Sequence, residues 1–359
     1  MELTATEKSY IWLDSFDLNE GEKRKLLSVA GSPVALVREF EKFQPYLIDF
    51  AKENVYNNMR RSLRDDGKYF QSLIAFFKEK SIQPIAYSSN LYPKEWKTFS
   101  DAPLVLYAKG DLALLQKRRF GIVGSRRTQA SALKVGERIS ETLSHAFVIV
   151  TGSADGGDLS AIEGGLQGSG KVISLLASGF GSIPKSNFSL LQKIPERGLI
   201  LSPHAYDTPA RNFSYEQRNK LLASLVEGVL VLGAGETSGA LITAKYAKLQ
   251  EKPVFALPYP PLSATGCGCN ALIKDGGILT ETAEDVLNFY GLQAEKRVEI
   301  PLSADEGKVL QFLKERGEAH LSEIASGTEI AVFKVTSILS SLEMKGVVVK
   351  LGGNRFSAV

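Results

Sequence analysis

Two adjacent arginines, Arg126 and Arg127, follow the apolar run 120–123 and the turn residues Gly124 and Ser125. A hydrophobic strand that ends at a glycine, with a helical pattern resuming near Ala130, is how a parallel α/β sheet turns backbone N–H groups toward a phosphate. Paired guanidinium groups beside such a turn add charge-assisted hydrogen bonds to phosphate oxygens. The chemistry expected here is the holding of an anion. The turn is not GxGxxG and has no acidic ribose partner at the standard position, which speaks against a dinucleotide.

Three further stretches have the same character. Residues 151–158 contain Gly152, Ser153, Gly156 and Gly157, small residues able to aim several amides into one concavity, and Asp158 is expected to cap the helix that follows. Asp155 is tolerable beside a phosphate only if it points away. Residues 212–220 interleave Phe213 and Tyr215 with Arg218, Asn219 and Lys220, the mixture of stacking surface and cation that holds single-stranded nucleic acid. Residues 233–240 open another helix and could present Ser238 and Gly239 to a phosphate. Glu236 in that loop reads as a solvated carboxylate, because no Ser/His/Asp set completes a hydrolase. His145, His204 and His320 are scattered, so no metal site and no cofactor are expected.

These loops must be positioned by a fold. Six apolar runs alternate with helical stretches between residues 120 and 290, at 120–123, 147–151, 171–177, 198–202, 228–233 and 253–258. Continuous apolar strands separated by helices imply a parallel sheet covered on both faces. The expected core is a Rossmann-like, doubly wound α/β sheet with its ligand site at the carboxyl ends of the strands. Residues 82–110 read as an edge addition to that sheet, within an extended Rossmann-like DNA-binding core at 81–292. Residues 1–80 form a helical domain of SAM or helix-hairpin-helix character, whose simplest role is to pack on its neighbour. After a polar linker at 293–300, residues 301–359 show three helical patterns and a hairpin around Gly352, Gly353 and Asn354, which spells a winged helix. Its third helix is expected to turn Glu329, Lys334, Ser337, Ser341 and Lys345 outward. That is little positive charge for a groove reader, so a protein-contact role is favoured.

Composition sets limits. With 359 residues, 44% hydrophobic and 23% charged, the chain reads as a folded protein of more than one domain. A net charge of +3 is too small for coating nucleic acid indiscriminately, so a polyanion would be held at a local site. Cys267 and Cys269 are one residue apart, too close for an ordinary disulfide, and read as buried thiols in a reducing compartment. The first ten residues lack a signal-peptide pattern and no apolar run reaches about 20 residues, so a cytoplasmic protein without membrane spans is expected.

The order of these elements resembles the DNA-processing protein A family (DprA, also called Smf) from about Tyr92 to Leu287. The resemblance rests on Tyr92-Pro93, on Pro103 to Tyr107 with Gly110, and on Gly121 to Arg126. It continues through Arg218-Asn219-Lys220, Ser238 to Ala244 and Gly268 to Ile273. It implies a non-enzymatic protein that binds single-stranded DNA, helps load the RecA recombinase in natural transformation and dimerises through its Rossmann-like core. It also implies that Arg126, the 152–157 loop, Lys185, Arg218 and Lys220 line the DNA pocket and that residues 270–279 lie near the dimer surface. Asp155 stands where the family carries an arginine, and Ile162 where it carries a histidine. Two other readings compete: a nucleotide phosphoribohydrolase on a related scaffold, whose Pro-Gly-Gly-x-Gly-Thr loop is absent here, and a winged-helix regulator with a ligand-sensing core.

Overall fold

The computed structural model describes residues 3–49, 52–293 and 302–358. Most of the linker expected at 293–300 falls outside them. The chain divides into two compact units, Met1–Glu295 and Lys296–Val359.

The first unit opens with helices α1 (Ala5–Asp14), α2 (Glu20–Ala30), α3 (Pro33–Arg38), α4 (Gln44–Asp49), α5 (Glu53–Leu63) and α6 (Lys68–Glu79). Thr4 and Asn19 begin α1 and α2 with reciprocal capping boxes to Glu7 and Glu22, and the Ser32 hydroxyl accepts the Ala35 amide at the start of α3. Trp12, Leu26, Leu36, Phe40 and Met59 close a core among these helices, to which Leu104 contributes from the sheet side. The Trp12 indole donates to the Ser62 hydroxyl at 2.8 Å, so the polar edge of a buried ring is satisfied. A buried ionic knot fastens the helices to the sheet. Lys23 Nζ lies 2.5 Å from Asp14 and 2.8 Å from Glu20, and the Tyr107 hydroxyl donates to Asp14 at 2.6 Å.

The sheet strands are β1 (Gln83–Ala86), β2 (Val105–Gly110), β3 (Arg119–Val123), β4 (Val148–Thr151), β5 (Val172–Leu175), β6 (Leu199–Ser202), β7 (Val229–Val231), β8 (Val254–Ala256) and β9 (Ile278–Leu279). They run in the order β1-β2-β6-β5-β4-β3-β7-β8-β9. β3 to β9 pair in parallel, while β2 lies antiparallel to β6 and β1 antiparallel to β2, which makes the 82–110 segment the edge addition expected. The connecting helices are α7 (Ala130–Leu143), α8 (Gly157–Gln167), α9 (Lys185–Leu191), α10 (Asn212–Leu225), α11 (Gly239–Leu249), α12 (Cys267–Lys274) and α13 (Ala283–Phe289).

The period-2 geometry of a strand sends alternate side chains to two cores. Phe120, Ile122, Ile149 and Leu230 pack with Ile139 of α7, Ile162 of α8 and Val286 of α13. Val123, Val148, Val150, Val229 and Val231 pack with Leu222 of α10, Ala244 of α11 and Cys269 of α12. Ile162, where the resembled family has a histidine, is thus a fully buried core residue. Both cysteines are free thiols. Cys269 is buried, and burial pushes its thiol up to about 12, whereas Cys267 is only half-buried, contrary to expectation.

The second unit contains α14 (Ala304–Arg316), β10 (Glu318–His320), α15 (Leu321–Thr328), α16 (Val332–Met344), β11 (Val348–Lys350) and β12 (Arg355–Ala358), with strand order β10-β12-β11. This is a winged helix around Val309, Leu313, Ile324, Val335, Leu339 and Phe356. One expectation is corrected: Ser341 and Lys345 turn inward, because both donate to the Glu306 carboxylate at 2.7 Å. Glu329, Lys334 and Ser337 are exposed as expected, and α16 also exposes Val332, Phe333 and Met344. Among the described residues no helix is long and apolar enough to cross a membrane.

Candidate functional site

Strand order reverses around β3: the chain passes from β3 to β4, β5 and β6 on one side, then returns to β7 on the other. Beyond the carboxyl ends of strands flanking such a reversal, the diverging helices leave a crevice. A cavity of about 530 Å³ occupies that place. Residues 123–127 at the end of β3, Ala154 after β4, and Gly235 and residues 237–240 after β7 line it, with Tyr215, Arg218 and Asn219 of α10.

The turn after β3 is built from backbone bonds. The Ser125 amide donates to Gly233 O at 2.8 Å, and the Ser125 carbonyl accepts the Thr128 hydroxyl at 2.8 Å. The Ser125 hydroxyl accepts the Arg127 amide at 3.1 Å, which leaves both arginine side chains exposed. Arg126 places its guanidinium carbon 5.4 Å from the centre of the Tyr215 ring. This cation-on-ring contact holds an exposed guanidinium over the cavity without cancelling its charge.

The glycine loop after β4 meets this turn at close quarters. A side chain on Gly124 would lie 2.9 Å from the Gly157 Cα, so the two backbones touch where β3 ends and α8 begins. Gly152 makes room for Arg218, since a Cβ there would overlap the guanidinium. Gly156 has φ +82° and packs under the Ser125 carbonyl as the residue preceding α8. Asp158 does not cap α8 as expected. It lies in the first turn, buried, 3.5 Å from Arg218, and accepts the Ala154 amide at 3.2 Å. Burial raises its carboxyl from the ordinary value, opposed by Arg218 and the amides of Ala154 and Gly124. Asp155 is exposed at the loop tip.

Arg218 is therefore a different kind of cation from Arg126. Its Nε donates to Asn219 at 2.9 Å and its Nη1 to the Leu175 carbonyl at 3.0 Å, and its side chain is 5% exposed. Asn219 in turn donates to Gly239 O at 3.0 Å, tying α10 to the start of α11. Ser238 caps α11 by accepting the Ala240 amide at 3.3 Å. The first turn of α11, with the positive end of its helix dipole, thus lines the same cavity as the arginines.

The cavity brings together Gly124, Ser125, Arg126, Arg127, Arg218, Asn219, Ser238 and Gly239. Gly152 and Gly156 support it from behind. Ser153 and Lys185 lie to one side, where Asn187 of α9 donates to the Ser153 carbonyl at 2.7 Å. Lys185 is exposed at the start of α9, and Phe188, three residues on, is 47% exposed. Phe213 and Lys220 are not in the cavity: they open into a separate groove toward the helical region. There Lys220 pairs with Asp101 at 2.6 Å and covers the Phe99 ring at 4.3 Å. Asp17, Asp101, Asp207 and Glu216 line the same groove, an unfavourable setting for a phosphate. Tyr215 was legible through its i,i+3 spacing to Arg218. Asn187 and Phe188 carried no signal. Among the described residues no group of three or more His, Cys, Asp or Glu could hold a metal ion.

The doubly wound sheet with a cavity at its switch point places the core in the Rossmann-like α/β class. Residues 83–291 match the DNA recombination-mediator protein A model and residues 293–354 match the DprA winged helix domain, and the chain belongs to that family. It is 35% identical over 217 residues to the DNA processing protein DprA of Bacillus subtilis, covering 60% of this chain and 73% of that one. It is likewise 35% identical over 197 residues to DprA of Streptococcus pneumoniae, covering 55% and 70%. The X-ray structure of the Streptococcus pneumoniae protein superposes with a TM-score of 0.62 at 27% identity, covering 83% of this chain and 100% of that one. The DprA structure from Helicobacter pylori, described for its single-stranded DNA binding mode, has a TM-score of 0.53 at 29% identity over 58% of this chain and 95% of that one.

Proposed function

We propose that this chain is a non-enzymatic DNA-processing protein that holds single-stranded DNA in the switch-point cavity. The observation that carries the reading is Arg126 poised over Tyr215, an exposed guanidinium and an aromatic face side by side in a cavity that the start of α11 also lines. A phosphate fits between the two arginines and the Gly239 amide at the start of α11, and an unstacked base fits against Tyr215. A duplex offers phosphates but keeps its bases stacked, so the site favours the single strand. Arg218, neutralised by Asp158, positions Tyr215 and α10 rather than donating to the phosphate. Lys185, at the start of α9, extends the path beside the glycine loop, whereas Phe188 opens into a separate groove with Phe180 and Tyr206.

The wider role we propose is that of a cytoplasmic protein that protects incoming DNA and helps load RecA in natural transformation; what supports it is the likeness to DNA processing proteins and to the DNA recombination-mediator protein A family. Dimerisation is assigned to the Rossmann-like core, whose edge strand β9 exposes Leu279. The winged helix serves protein contact, because the outward face of α16 is mainly apolar and hydroxyl-bearing, with Lys334 as its single exposed cation. Phosphoribosyl hydrolysis is disfavoured by Glu236, which is exposed on a loop with no Pro-Gly-Gly-x-Gly-Thr sequence.

The test is fluorescence anisotropy with labelled single- and double-stranded oligonucleotides of one length. The single strand should bind at least tenfold more tightly, and equal affinity for both forms contradicts the reading.

A further inference from the structure

We propose that α5 carries a second contact for the DNA backbone, remote in sequence from the switch-point cavity; this rests on the reading of the protein as a DNA binder. Asn54, Asn57, Asn58 and Arg61 fall at i, i+3, i+4 and i+7, one face of the helix, and all four are exposed. With Arg60 and Arg64 they line an open recess of about 710 Å³. Among the described residues the side chains of these four have no hydrogen-bond or ion-pair partner.

The recess is cationic. Arg60 and Arg64 share one carboxylate, Glu41, at 2.9 and 2.7 Å, and that carboxylate also accepts the Tyr56 hydroxyl at 2.6 Å. Three guanidinium groups therefore line the recess around a single acid, while Asp17 and Asp65 share a neighbouring cavity with Asn58 and Arg61. Asp65, at the end of the helix, is turned to the Tyr69 amide.

Helix stability explains only part of this arrangement. Cations in the last turn complement the helix dipole, which accounts for arginines at the C-terminal end. It does not account for Asn54, Asn57 and Asn58, since asparagine is a poor helix former. Arginine and asparagine are both donors to phosphate oxygens, and no aromatic ring lines the recess to stack a base. The occupant it fits is a phosphodiester backbone, held without regard to sequence.

The test uses the full chain with fluorescein-labelled dT6 and dT60, comparing wild type, Arg61→Glu, the double variant Asn57→Ala/Asn58→Ala, and Arg126→Ala. Thermal melts establish that each variant is folded. Arg61→Glu should weaken dT60 at least fivefold while leaving dT6 within twofold, with a shallower salt dependence for dT60 only. The asparagine variant should follow the same pattern more weakly. Wild-type affinity of Arg61→Glu for dT60 overturns the proposal, and so does an equal loss for both lengths. Arg126→Ala should weaken both lengths. If it weakens neither while Arg61→Glu still weakens dT60, the cavity reading falls and the α5 contact stands.

Discussion

The Arg218 guanidinium stands 3.5 Å from the Asp158 carboxylate, and both side chains are 5% exposed. The pair joins the first turn of α8 to the middle of α10 and thereby sets the distance between the glycine loop and Tyr215. Removing one partner of such a pair leaves an uncompensated buried charge, at a cost of about 3–5 kcal/mol. Asp158→Ala should lower unfolding stability by that amount in urea denaturation. Gly152→Ala should act in the same direction from the other side, because its methyl group would displace the guanidinium.

Tyr215 and Lys220 lie on the same helix, one in the cavity and one outside it. Tyr215→Ala should weaken single-strand binding by about 1–3 kcal/mol, the range for a base on an aromatic ring. Tyr215→Phe should stay close to wild type. Lys220→Ala should change affinity less than about twofold, since the ammonium is committed to Asp101. Anisotropy titrations of the three variants check this ordering.

Acid should destabilise the protein through His204. Burial pushes its imidazole down to about 4 from 6.5, and its Nε2 has no partner. Asp14 opposes the shift and Lys23 adds to it. The folded state therefore keeps His204 neutral, while the unfolded chain takes up a proton below pH 6.5. Stability is present above pH 6.5 and is lost as pH falls through 4, by about 3 kcal/mol in total. Denaturation midpoints across that window should flatten in His204→Phe relative to wild type.

Much of this molecule was legible in its sequence. All six apolar runs between residues 120 and 258 became parallel strands, because a strand covered on both faces must be apolar throughout. The cluster after β3 was legible because its residues are neighbours in the chain. β9 and β10 were missed, since Ile278–Leu279 and Glu318–His320 form no apolar run of the kind that marks the other strands. Partners far apart in the chain were equally invisible: Arg218 finds Asp158, Lys220 finds Asp101, and Lys345 finds Glu306. Each pairing changed what a cation in a promising segment can do.

Arg126 is the residue on which the account depends most, as the exposed cation held over Tyr215 at the mouth of the cavity. The direct measurement is the salt dependence of single-strand affinity for wild type and Arg126→Ala. One phosphate contact fewer should reduce the slope of log K against log salt by about 0.7, with weaker binding at every salt concentration. An unchanged affinity and slope would contradict the cavity as the DNA site.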